Sequence, residues 1–122
     1  WTYDTDYFDK EGFKGIELSK KYLLKLKDIL DQQKIEFTLL IYPWPGQIYR
    51  NDNNLTHSNI WGNWASENNI NFINLSPLFF KEDLNSEENR LKIIDKYYLP
   101  GDMHLNKEGH KMIADYLIKT LE

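Results

Sequence analysis

The stretch Lys34-Ile35-Glu36-Phe37-Thr38-Leu39-Leu40-Ile41-Tyr42 constrains the fold more than any other. It is rich in β-branched and aromatic residues, and Pro43 stops it. Its centre is apolar at nearly every position rather than at every second one. A strand of that kind has to be covered on both faces, as inside a parallel sheet. In front of it, from Ile16 to Gln33, Leu18, Tyr22, Leu26, Ile29 and Leu30 recur at i, i+4, i+8, i+11 and i+12. That is one face of a helix, with lysines on the rest, and it is expected to turn inward. Further on, Asn69-Ile70-Asn71-Phe72-Ile73-Asn74-Leu75 alternates apolar residues with asparagine, a strand of period two. Helix, short loop and buried strand in succession are the cadence of an α/β fold, with at least two parallel strands and flanking helices.

Other segments fill in around these. Residues 1–15 hold aromatics among glycines and acids without a clean period, and read as an irregular arm packed on the body. Pro43-Trp44-Pro45-Gly46-Gln47 leaves the C-terminal end of the first strand, where open α/β sheets place their ligand crevices. Two prolines stiffen this loop and Trp44 offers a flat wall, so Trp44, Pro45 and Gln47 are candidate substrate-binding residues. Thr56 can cap a helix from His57 to about Asn68, with Ile60, Trp61, Trp64 and Ala65 inward; His57 reads as a surface residue without a catalytic role. Leu78 to Glu88 is a loop or a short helical turn. Ser86 can cap a helix from Glu87 to about Lys96, with Leu91 and Ile94 inward. The last helix spans Lys107 to about Leu121; His110 shares a face with Ile113, Tyr116 and Leu117, and is expected to be buried and structural. The 122 residues suit one domain, or one fragment of a domain.

Composition narrows the chemistry. The net charge is −4 and no basic cluster interleaves with aromatics, so nucleic acid is not an expected partner. The chain has no cysteine, which removes disulfides, thiol catalysis and thiolate zinc sites together. No motif calls for a cofactor. No apolar run approaches the roughly 20 residues of a membrane span. The chain opens on Trp1 rather than Met, and is expected to be a processed product or part of a longer protein.

The chemistry gathers in Pro100-Gly101-Asp102-Met103-His104-Leu105-Asn106, which runs into Lys107-Glu108-Gly109-His110 and the last helix. In an extended loop, residues i and i+2 point the same way. Asp102 and His104 can therefore face one site. A carboxylate on one imidazole nitrogen fixes the tautomer and leaves the other nitrogen to take a proton. Asp102 and His104 are thus the candidate catalytic pair, and Asn106 is a good N-cap for the helix that follows.

This block resembles the last motif of the SGNH (GDSL-type) hydrolase superfamily, an Asp and a His just before the C-terminal helix. The spacing is two here, where three is commoner. With the strand ending in Pro-Trp-Pro, the next helix and the second strand, most of the chain is similar to the C-terminal part of such a protein. The resemblance implies a three-layer, flavodoxin-like parallel sheet. It implies a serine esterase or O-acyltransferase acting on acyl esters, often carbohydrate-linked, in a secreted or periplasmic setting. In that family His104 would deprotonate the nucleophilic serine and Asp102 would orient the imidazole. The Gly-Asp-Ser-like turn, the oxyanion-hole glycine and the Gly-x-Asn-Asp motif are absent from this chain. Ser19, Ser58, Ser66, Ser76 and Ser86 all lack the strand–turn–helix setting of an activated hydroxyl. The expected partners are therefore a missing N-terminal half, or a second copy joined across an exposed strand edge.

Two other readings stand beside this one. A non-catalytic binding or structural domain would keep the fold and use the Trp44 loop for recognition. A metal site would use Asp102, His104 and His110 as ligands on one segment.

Overall fold

The structure of the chain, a computed structural model, describes residues 5–52, 56–81 and 84–121. It is a mixed α/β protein with a two-stranded parallel sheet and flanking helices. The chain divides into two compact units, Trp1–Leu39 with Asn59–Ile73, and Leu40–Ser58 with Asn74–Glu122. Among the described residues, no helix is long and apolar enough to cross a membrane.

The sheet pairs β1 (Thr38–Ile41) with β2 (Asn71–Asn74). Asn71 N–H donates to the Phe37 carbonyl at 3.1 Å and Leu75 N–H to the Ile41 carbonyl at 2.8 Å. The same register offset at both ends makes the pair parallel. Both strands are launched by the same device. The helix α2 (Phe13–Gln32) ends with Lys34 at φ 58°; Lys34 N–H then bonds Asp31 O and Ile35 N–H bonds Leu30 O. The helix α4 (Thr56–Glu67) ends with Asn69 at φ 53°, its N–H on Ser66 O and Ile70 N–H on Ala65 O. The short helix α3 (Pro45–Tyr49) ends likewise at Asn51, φ 49°, with Asn51 N–H on the Ile48 carbonyl and Asp52 N–H on the Gln47 carbonyl. All three are Schellman caps, in which a left-handed residue lets two N–H groups reach back to carbonyls the helix leaves open.

In the first unit, α1 (Thr5–Tyr7) and a π-helical turn (Phe8–Gly12) lead into α2. The stretch expected to be an irregular arm is therefore helical from Thr5 onward, and its Tyr7 and Phe13 are exposed rather than packed. Residues 1–4 lie outside the described chain. Trp61 and Trp64 of α4 are buried, edge to face, with centroids 5.5 Å apart. Of the five α2 residues expected inward, only Leu30 is on the packed side. Ile16 is buried and Leu23 and Leu30 are half-buried, whereas Leu18, Tyr22, Leu26 and Ile29 are exposed. Lys20 and Lys27 lie largely against the protein on the packed side, tied to Glu17 and Asp31. Their alkyl stems cover apolar surface while the ammonium groups stay paired.

In the second unit, α5 (Ser76–Phe80), α6 (Glu87–Tyr97) and α7 (Lys107–Leu121) surround a core of Ile48, Phe79, Leu84, Ile93, Tyr97, Tyr98 and Leu105. Phe79 meets Tyr97 edge-on at 5.7 Å. Each large side chain fully buried here contributes roughly 1.5–3 kcal/mol. The Ser86 hydroxyl accepts the Asn89 N–H at 3.1 Å, so α6 starts where its cap predicts. Leu91, expected inward, is exposed; Ile93 takes the buried position. Residues 82 and 83, in the stretch read as a loop or turn, lie outside the described chain, as do residues 53–55 of the polar loop before α4.

Candidate functional site

Leu99-Pro100-Gly101-Asp102 is a tight turn closed by Asp102 N–H on the Leu99 carbonyl at 3.0 Å. Pro100 at the second position and Gly101 at φ 72° define type II, whose third position tolerates little besides glycine. The turn stands on a neck in which Tyr98 and Leu105 pair antiparallel and Leu99 N–H bonds the His104 carbonyl at 2.9 Å. That neck fixes how Asp102 and His104 leave the backbone.

The result is the pairing their spacing implied. Asp102 Oδ1 lies 2.8 Å from His104 Nδ1. The same oxygen accepts the Met103 N–H at 2.6 Å and the His104 N–H at 3.3 Å. These bonds, the imidazole first, hold the Asp102 carboxyl below its ordinary range. A carboxylate acceptor assigns the proton to Nδ1, which leaves Nε2 as the basic nitrogen. Among the described residues Nε2 has no protein partner, and the side chains are open to solvent, 71% for His104 and 45% for Asp102.

Two residues behind the turn fix its place. Asn106 caps two helices at once. Its Oδ1 accepts the Glu108 and Gly109 N–H groups at 2.9 and 3.0 Å, opening α7. Its Nδ2 donates to the Lys96 and Tyr98 carbonyls at 3.0 and 3.1 Å, closing α6. Only the first role was readable from the sequence. Tyr98, fully buried, donates its hydroxyl to the Pro43 carbonyl at 2.5 Å. Burial, with Tyr42 nearby, pushes that phenol well above its ordinary range, so it stays a donor. The residue just before the turn is thereby latched to the loop that follows β1.

That loop places the other candidates unequally. Pro45, at the first position of α3, lines an open concavity of about 290 Å³ with Ile94, Leu99, Pro100, Met103 and Asp102. Leu99 and Met103 were not singled out by the sequence, yet both are exposed beside the pair. Trp44 is half-buried and tilts against His57, centroids 6.3 Å apart, outside the concavity wall. His57 is half-buried rather than on the surface, and burial lowers its pKa. Gln47 does not present its side chain to a ligand. It is buried, and its Oε1 accepts the Trp44 N–H at 2.9 Å, which closes the first turn of α3.

The serines offer no partner for His104. Ser58 and Ser76 are buried with their hydroxyls 3.3 Å apart. Ser19 donates to the Gly15 carbonyl, and Ser86 caps α6. Among the described residues, no serine hydroxyl bonds the imidazole. His110 is exposed, against the expectation of a buried ring. The position next to it explains why: Gly109 is buried, and a Cβ there would stand 2.3 Å from the Tyr97 carbonyl oxygen. The helix turns glycine to α6 at the closest approach and His110 outward. Among the described residues no group of three or more His, Cys, Asp or Glu could hold a metal ion, so the Asp102–His104–His110 metal reading fails. In comparisons with known proteins, no protein-family model, no curated protein and no solved structure matches this chain.

Proposed function

We propose that this chain supplies the acid–base half of a Ser-His-Asp relay, as the C-terminal part of an SGNH-type esterase or O-acyltransferase. The observation that carries the proposal is the 2.8 Å pairing of Asp102 with His104 Nδ1, with Nε2 open to solvent. A histidine so held takes a proton from a hydroxyl and returns it to a leaving group, while the carboxylate stabilises the imidazolium. The nucleophile and the oxyanion donors come from a polypeptide that completes a three-layer parallel sheet around β1 and β2. The substrate is an acyl ester, with carbohydrate esters included. The concavity beside Asp102, walled by Pro45, Leu99 and Met103, receives its apolar portion.

The test is made on the longer coding sequence upstream of Trp1. A strand followed by a Gly-Asp-Ser or Gly-x-Ser turn is expected there. The full product is expected to hydrolyse p-nitrophenyl acetate, and His104→Ala to lower turnover by a factor on the order of 10³ or more. The chain alone is expected to show no turnover above its His104→Ala variant. Full activity in the longer His104→Ala protein would sink the proposal.

A further inference from the structure

The chain has no cysteine and two methionines, so Met103 and Met112 are the side chains that a mild peroxide attacks first. Their settings differ. Met112 is half-buried and packs against the core cluster that holds Phe79 and Tyr98. Met103 is 52% exposed and forms part of the concavity beside Asp102. Its N–H is held by Asp102 Oδ1 at 2.6 Å, and its neighbours in the chain are the two members of the acid–base pair. An oxidant has to reach the sulfur lone pair, so access decides which thioether reacts. The chain keeps one methionine against its core and sets the other, open to water, in the wall of its candidate site.

Oxidation would change what that wall can do. As a thioether, Met103 is a flexible apolar surface that adapts to an apolar ligand. In its reaction with a hydroperoxide, the sulfur lone pair takes the terminal oxygen and the O–O bond breaks. The proton on that oxygen passes to the departing oxygen, which leaves as water or an alcohol; sulfur is oxidised and the peroxide reduced. The product carries a polar S=O group, a strong hydrogen-bond acceptor. The side chains of the wall offer it no donor. Pro45, Ile94 and Leu99 are apolar, the Asp95 and Asp102 carboxylates are acceptors, and the Tyr98 hydroxyl is committed to the Pro43 carbonyl. The S=O group then holds water in the concavity, and an apolar group entering it would strip that water without replacing its bond.

We propose that Met103 is a reversible oxidation site, whose sulfoxide closes the concavity beside Asp102 to apolar ligands. The inference rests on the reading of that concavity as the place for an ester's apolar portion. The oxidant is a hydroperoxide, and a thiol-dependent methionine sulfoxide reductase restores the open state. Asp102 and His104 keep their pairing in both states, because the turn and its neck set it, so oxidation acts on ligand entry rather than on the base.

The test starts on the chain itself, with hydrogen peroxide at limiting dose and mass-spectrometric mapping. Met103 is expected to convert on the order of tenfold faster than Met112. Butyl acetate, an apolar ester, is expected to shift the amides of Leu99, Gly101 and Met103. Those shifts are expected to vanish in the Met103 sulfoxide and to return after treatment with the reductase. Met103→Gln is expected to lose them without peroxide, and Met103→Leu to keep them after it. Circular dichroism checks that each variant keeps its fold. On the longer product, peroxide is expected to raise KM for p-nitrophenyl butyrate on the order of tenfold and to leave kcat in place. Equal conversion of the two methionines would overturn the proposal. So would ester binding that survives in the Met103 sulfoxide, or an ester that shifts none of these amides in the untreated chain. A longer product without esterase activity sinks the reading of the site as an esterase; the ester-binding arms, read on the chain alone, decide the role of Met103.

Discussion

The carboxylate of Asp102 and the Nδ1 of His104 face each other at 2.8 Å although neither side chain is buried. An exposed pair keeps such geometry only when the backbone sets it. Here the Pro100-Gly101 turn and the Tyr98–Leu105 bridge do so. The first prediction follows the pair through pH. The Asp102 pKa is depressed, so the pair contributes stability that is present above the ordinary aspartate value and lost as pH falls through the folded value. Carbon-detected NMR of the Asp102 carboxyl is expected to place its midpoint below 3.8, and His104→Ala to move it upward. Asp102→Asn is expected to release the Nδ1–H tautomer, read from the imidazole nitrogen shifts. An unchanged tautomer would mean that the carboxylate does not orient the ring.

Asn106 and Gly109 predict a loss of stability of two different kinds. Asn106→Ala removes an N-cap and leaves α6 carbonyls without a donor, for about 2 kcal/mol. Gly109→Ala forces a methyl group into the Tyr97 carbonyl oxygen and costs at least about 2 kcal/mol. Gly15→Ala meets nothing within 4 Å and is expected to stabilise α2 by about 1 kcal/mol. Urea denaturation of the three variants checks the order.

Lys34 is the least suited of the three left-handed caps, because asparagine tolerates that conformation and lysine does not. Lys34→Gly is expected to raise stability by about 1 kcal/mol, and Asn69→Gly by less. Equal gains at both positions would show that the backbone at Lys34 is relaxed.

The register of the sheet makes a residue-by-residue prediction. Phe37 and Ile41 offer their carbonyls to β2, so the N–H groups of Leu39 and Ile41 point to β2 and those of Thr38 and Leu40 point to the other edge. Hydrogen exchange is expected to be slow at Leu39 and Ile41 and fast at Thr38 and Leu40. Protection at all four would mean that another chain pairs with β1.

What the sequence made legible is what local physics decides. The Ser86 cap, the Asn106 cap, the two strand patterns and the i, i+2 approach of Asp102 to His104 each rest on a few neighbouring residues. The misplaced residues are those decided by distant contacts. On α2 most of the stripe with the better period is bare; of its members only Leu30 packs, together with Ile16 and Leu23. On α7 the closest contact falls on Gly109, which adds no apolar signal, so the inward face was drawn through His110. Gln47 was read as a polar group in a loop facing a ligand, while its amide completes a helix turn.

The double cap of Asn106 has a consequence for how the pair could travel between proteins. One side chain joins the end of α6 to the start of α7, and the turn carrying Asp102 and His104 is strung between those two points. The orientation of the imidazole is then inherited from a short helical hairpin more than from the sheet. Such a cassette can be grafted onto a different scaffold, or outlast the loss of its nucleophile, with the acid–base geometry intact. On a new scaffold it would have to re-establish a carbonyl acceptor for the Tyr98 hydroxyl and an apolar cover for Ile93, Tyr97 and Tyr98, which here pack on Ile48 and Phe79.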